Sequence, residues 1–153
     1  MVRYKARYLL FNVLYPTSAP DATNPTHIDF LAPSDSSVTP GELATLIREG
    51  LSHNFGDWGA GIAGNISVKY FSPATSTGIV RVSREQYRLV WAVLSYIGEI
   101  KGRPCTIRVV HVSGTIKKAE IVAVKRAKLD MHLVVEDQTR LEEEMMMISE
   151  DEE

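Results

Sequence analysis

Residues 6–15, ARYLLFNVLY, carry apolar side chains on both faces of an extended chain. Alternate side chains of a strand point to opposite sides. Leu9, Phe11 and Val13 therefore point one way, and Tyr8, Leu10 and Leu14 the other. Such a strand belongs at the centre of a sheet, covered on both faces. Pro16 ends it. The rest of the chain has to supply that cover.

Residues 16–38 are rich in Pro, Ser, Asp, Thr and Asn and read as a long surface loop, with 17–38 as its body. His27, within it, is expected to face water rather than a metal. At 39–43, TPGEL is a helix start. Thr39 can cap, Pro40 suits the first helical position, and Glu42 completes a capping box. Leu43, Leu46, Ile47 and Leu51 follow as one apolar stripe, and Gly56 is the expected stop. The next segment, GDWGAGIAGN at 56–65, lacks the Gly-Lys-Ser/Thr of a phosphate loop and is not expected to open a helix. It reads as a tight connection into a strand, with Trp58 packing over an edge.

NISVKYF at 65–71 and TGIVRVS at 77–83 alternate and flank SPATS, which predicts a β-hairpin. SREQ at 83–86 predicts a second capping box. Tyr87, Val90, Trp91, Leu94 and Ile97 then form a helical stripe, and CTIRVVHVS at 105–113 is a fourth strand. The order is β-α-β-β-α-β, an α+β class. It predicts a ferredoxin-like, RNA-recognition-motif-like sandwich with two helices on one face of an antiparallel sheet. A third helix is expected at about 116–129. Two helices on one face leave the other face of the first strand bare. Either the third helix covers it or a partner does.

The 153 residues fit one domain, 1–135, followed by an acidic tail, 136–153, expected to be disordered. No apolar run approaches the roughly 20 residues that span a bilayer, so no membrane role is expected. The single cysteine, Cys105, excludes an internal disulfide framework and is expected to be a buried thiol. The net charge of −2 conceals an asymmetry. The tail holds nine acids and one base; the remaining residues hold sixteen bases and ten acids. A modestly basic body with an acidic end suggests a polyanion partner. A tail that only aids solubility is the plainer alternative.

Catalytic chemistry finds little support. His27, His53, His111 and His132 are far apart, and none has a ligand neighbour at metal-site spacing. No Ser or Cys sits in a nucleophile turn. Nucleic-acid binding fits better. At about 100° per residue, Lys117, Lys118, Lys125 and Lys128 fall on one arc of the third helix. Ile116, Ala119, Ala123, Val124 and Ala127 fall on the other side. Lysines in a first turn oppose the helix dipole by roughly 0.3–1 kcal/mol each when exposed. A phosphate there would gain from both the free backbone N–H groups and the lysines. An ordinary solvated lysine face is the competing explanation. Arg3, Lys5 and Arg7 share one parity at the first strand, and Lys69, Arg81 and Arg108 lie in the other three. The third strand, GIVRVS, lacks the base-stacking aromatics of an RNA recognition motif. Contacts to phosphate and RNA shape are therefore expected, rather than readout of bases.

RYKARYLLFNV, GDWG, VKYFSPATSTGIVRVSRE and, above all, VSGTIKKAE resemble the Pop-five subunit family of ribonuclease P and ribonuclease MRP. The likeness runs from residue 3 to about 128. Its most specific parts are Ser76-Thr77-Gly78-Ile79 and Ser113-Gly114-Thr115-Ile116-Lys117-Lys118. The resemblance implies the sandwich fold already derived and a non-catalytic, RNA-binding role. Cleavage belongs to the RNA subunit with magnesium ions, in precursor tRNA 5′ maturation and precursor rRNA processing; this chain is expected to bind no cofactor. Implied partners are the ribonuclease P and MRP RNAs, a TIM-barrel protein subunit and a small paralogous sandwich subunit. The sheet face carrying Leu9, Phe11 and Val13 would then be protein interface, and Lys117 and Lys118 match the family's lysine pair. Loop and tail point to a eukaryotic member, hence to nucleus and nucleolus. The alternative is an assembly module of the same complex that touches no RNA.

Overall fold

The computed structural model describes residues 3–16 and 31–150. Most of the long loop, including His27, lies outside them. Strand β1 (Ala6–Leu14) is central in a four-stranded antiparallel sheet ordered β2-β3-β1-β6. β2 is Ser67–Ser72, β3 Thr77–Ser83 and β6 Thr106–Ser113. With helices α1 (Pro40–Ala63) and α2 (Tyr87–Tyr96), this is the ferredoxin-like order expected of β-α-β-β-α-β.

The parity of β1 decides the layers. Leu9, Phe11 and Val13 are each 0% exposed, in a core with Leu43, Ile47 and Leu51 of α1 and Val90, Val93 and Leu94 of α2. They offer no surface to a partner, which corrects their assignment as interface. The helices they anchor are the reason: both apolar stripes pack onto that face. The opposite face is met by α3 (Ile116–Glu150). Leu10, Ile79 and Ala119 form a second cluster there, flanked by Tyr8, Val110, Val122 and Ala123. Of the two ways to cover β1, the chain uses its own third helix.

Gly78 lies between Phe11 of β1 and Phe71 of β2 in register. The two rings stack at 6.5 Å across it, and a Cβ on Gly78 would collide with the Phe11 ring. The glycine in Ser76-Thr77-Gly78-Ile79 thus makes room for an aromatic pair.

The Thr39–Glu42 capping box forms: the Glu42 N–H donates to Thr39 Oγ1 at 3.3 Å, and the Thr39 N–H to Glu42 Oε2 at 3.0 Å. The stop at Gly56 is only a kink. Its φ of 62° and ψ of −146° break the helix, but a second helical segment continues to Ala63. Trp58 sits in that segment, 61% exposed and edge-on to Phe55, not over a sheet edge. The second capping box is absent. Ser83 instead takes the Gln86 N–H on its backbone carbonyl, and no side chain caps α2.

A small hairpin, β4 (Glu99–Ile100) with β5 (Arg103–Pro104), precedes β6; Lys101 and Gly102 take positive φ in its turn. Cys105 follows, buried, and burial pushes its thiol pKa up. The largest departure is α3, which runs through 136–150 instead of ending near 129. No Gly or Pro occurs between 115 and 150, and Glu, Leu, Met, Gln and Arg are strong helix formers. The absent packing face suggested disorder, but local propensity carries the helix on.

Candidate nucleic-acid interface

β6 delivers Ser113-Gly114-Thr115 to the edge of the sheet, where α3 begins. The Ser113 hydroxyl donates to the Thr115 carbonyl at 2.7 Å. Thr115 caps the helix: its Oγ1 takes the Lys118 N–H at 3.4 Å and its carbonyl takes the Ala119 N–H at 3.3 Å. This start is pinned by Ala119, 0% exposed against the sheet. With Ala119 inward, Lys117 and Lys118 must point outward, and both are exposed. Lys125 and Lys128 continue the exposed row. The first turn contains no acid, and among the described residues none of these four lysines makes an ion pair. The packing face is narrower than expected: Val124 is 54% exposed, and Ala127 is exposed too.

The first strand brings further bases to this corner. Arg7 Nη1 lies beside Gly114, at 3.7 Å from where a Cβ would stand. That nitrogen also donates to the Ala6 carbonyl at 3.1 Å. Pairing sets Ser113, Tyr8 and Arg81 in one row across β6, β1 and β3. Arg81 lies over the Tyr4 ring at 5.1 Å, a cation–π distance. Arg3 and Lys5 are exposed just before β1. So Arg3, Lys5, Arg7 and Arg81 gather at the end of the sheet where α3 starts. Tyr4 and Tyr8 stand among them, and sequence reasoning did not single them out for this site. The signal was present as the alternation Arg3-Tyr4-Lys5 followed by Arg7-Tyr8.

Two candidates fall elsewhere. Lys69 occupies a register shift in β2, the edge strand farthest from β6. Arg108 is half-buried beneath α3, near Arg126 and Asp130. Burial and then the like charge of Arg126 lower its pKa, against the pull of Asp130. Its Nε and Nη2 are buried without hydrogen-bond partners, as are Nε of Arg81 and Nε of Arg126. Arg108 therefore faces the inner side of α3 and not the lysine row.

The arrangement suits an anion that spans several positions. Four lysines on one helix face, a helix N-terminus and a basic strand end form a surface, not a cleft. Among the described residues, no group of three or more His, Cys, Asp or Glu side chains could hold a metal ion. Nor is any helix among them long and apolar enough to cross a membrane.

Residues 7–124 match the model of the Rpp14/Pop5 family. The chain belongs to that family. It is 54% identical over 133 residues to ribonuclease P/MRP protein subunit POP5 of Schizosaccharomyces pombe, covering 86% of this chain and 92% of that protein. It is 37% identical over 145 residues to the Saccharomyces cerevisiae protein of the same name, covering 88% and 82%. A chain of the yeast ribonuclease MRP cryo-EM structure aligns at a TM-score of 0.46 and 11% identity, covering 86% and 95%. The family match spans β1 to the first turns of α3, so it contains both Ser76-Thr77-Gly78-Ile79 and the Lys117–Lys118 helix start.

Proposed function

We propose that this chain is a non-catalytic RNA-binding subunit of the nuclear and nucleolar ribonucleoproteins ribonuclease P and ribonuclease MRP. In this reading it supports the catalytic RNA in precursor tRNA 5′ maturation and precursor rRNA processing. The RNA performs the cleavage with magnesium ions, and this chain binds none itself. Its protein neighbours are a TIM-barrel subunit and a small paralogous sandwich subunit.

One observation carries direct RNA contact: an acid-free helix start with Lys117 and Lys118 outward, continued by Lys125 and Lys128. Phosphate neutralises the charge that those lysines add to the positive helix end. Arg7, Arg3 and Lys5 extend the surface toward the start of β1. Arg81 borders it, whereas Lys69 and Arg108 lie outside it.

The test is RNA affinity against salt, with purified chain and ribonuclease P RNA. Each phosphate neutralised contributes roughly 0.7–0.9 to the slope of log affinity against log salt. Lys117→Ala/Lys118→Ala should flatten the slope by about 1.4–1.8. An unchanged slope would refute contact at this helix start. It would favour the assembly-module alternative, in which RNA is reached only through partner chains.

A further inference from the structure

Tyr4 places an aromatic ring in the middle of the basic corner. It stands just before β1, where the Arg84 N–H still donates to the Lys5 carbonyl at 2.9 Å, so strand pairing continues past Ala6. Tyr4, Ala6 and Tyr8 share a parity, which puts Tyr4 on the sheet face that α3 covers further along. Arg81 lies opposite Tyr8 in register, and its guanidinium rests against the Tyr4 ring at 5.1 Å from the centroid. The ring is still 50% exposed, and among the described residues no second ring or cation stacks on it. Arg81 makes no ion pair among the described residues, and its Nε is buried without a hydrogen-bond partner.

Charge and ring together select the ligand. The two adjoining strand ends bring Arg3, Lys5, Arg7, Arg81 and Arg84 against one acid, Glu85. Lys117 and Lys118 follow across Gly114, with Glu120 on the next turn. A polynucleotide answers both features, the positive charge with phosphate and the bare ring with a base. A duplex keeps its bases stacked inside, so only an unpaired nucleotide can use the ring. We propose that Tyr4 stacks on the base of an unpaired nucleotide, with Arg81 against the opposite ring face and Arg3, Lys5 and Arg7 taking the adjoining phosphates. This rests on the RNA-binding reading above and narrows it: the strand corner takes single-stranded RNA, whereas the lysine row serves either form. Stacking needs only a base's flat face, so the site accepts any of the four bases. β3 has no ring to offer, and register supplies one from the strand beside it.

The test compares an unstructured RNA of about 12 nucleotides with a duplex of equal length, using the full purified chain. Tyr4→Ala should weaken single-strand binding by roughly 5- to 150-fold, as loss of one base–aromatic stack does, and leave duplex binding within about twofold. Tyr4→Phe keeps the ring and should bind as the wild type does. Neither change removes a phosphate contact, so the salt slope should hold, while Lys117→Ala/Lys118→Ala should flatten it. Tyr4→Leu keeps apolar bulk over Arg81 without an aromatic face and repeats the test in a second background. Unmoved single-strand affinity, an equal loss on the duplex, or a Tyr4→Phe as weak as Tyr4→Ala would each overturn the stack. If the lysine pair still flattens the slope, the RNA reading survives that failure; if it does not, both fall. In the assembled ribonucleoprotein, a photoreactive residue at Tyr4 should crosslink to an unpaired nucleotide. A crosslink to a paired nucleotide, to a protein subunit alone, or to nothing would overturn the proposal.

Discussion

Replacing Gly78 with Ala should destabilise the protein through one contact. The added methyl falls where the Phe11 ring lies, between Phe11 and its stacked partner Phe71. Phe11 is 0% exposed, so its ring has no free space to enter. Forcing a methylene-sized group into a packed core costs about 1–3 kcal/mol. Disturbing an aromatic pair adds about 0.5–1.5 kcal/mol. Against this, Ala restricts the unfolded chain and returns about 0.4–1 kcal/mol. The net expectation is a loss of about 0.5–4 kcal/mol, combining those three effects. For a chain of this size that lowers the thermal midpoint by roughly 1–16 °C. Urea unfolding of the wild type, Gly78→Ala, Phe11→Leu and the double variant gives the full cycle. Phe11→Leu removes the obstructing ring edge, so the double variant should recover at least about 1 kcal/mol relative to additivity. If Gly78→Ala changes stability by less than about 0.5 kcal/mol, or the two changes simply add, the steric account fails.

Glu42 tests the helix cap through pH. The Thr39 backbone N–H, then Lys101, holds its carboxyl below the usual range. A lowered folded-state pKa contributes stability that is present above the unfolded value, about 4.3, and lost as pH falls through the folded value. Glu42→Gln should thus lower the thermal midpoint at pH 7, and the gap should close in acid; a constant gap from pH 7 to pH 3 would count against it. Deleting 136–153 should leave the midpoint within about 2 °C, because nothing in the sheet depends on that segment. The same deletion should remove roughly a fifth of the helical circular dichroism, counted from the three helix lengths. An unchanged spectrum would mean that α3 ends early in solution.

The strand order was legible because β1 is apolar on both sides, a pattern that only a central strand satisfies. Thr39 and Glu42 were legible because Pro40 stands with them at the first helical position, whereas the same spacing at Ser83–Gln86 gives no side-chain cap. Tertiary effects hid the rest. Leu9, Phe11 and Val13 could be told from Tyr8 and Leu10 as opposite faces, but parity does not say which face the helices choose. Ala119 and Val124 looked equivalent on a helical projection; only docking against Leu10 and Ile79 buries one and exposes the other. The helix through 136–150 went unread because that stretch shows no packing face, and only the local propensity of Glu, Leu, Met and Gln carries it on. Lys117 and Lys118 were legible as misplaced charge, whereas Tyr4, Tyr8 and Arg81 joined them only through cross-strand register.

Helix α3 is also a lever. From Ile116 to its end at Glu150 it runs about 50 Å, at 1.5 Å per residue. A 10° change of tilt at the Ser113–Thr115 start would swing the far tip by about 9 Å, more than the length of one helical turn. The hydrogen bonds that fix that start, and the fully enclosed Ala119, therefore set the aim of everything mounted further out. Small errors in seating at the sheet are magnified at the tip, so the precision of that joint limits how accurately two distant contacts can be engaged at once.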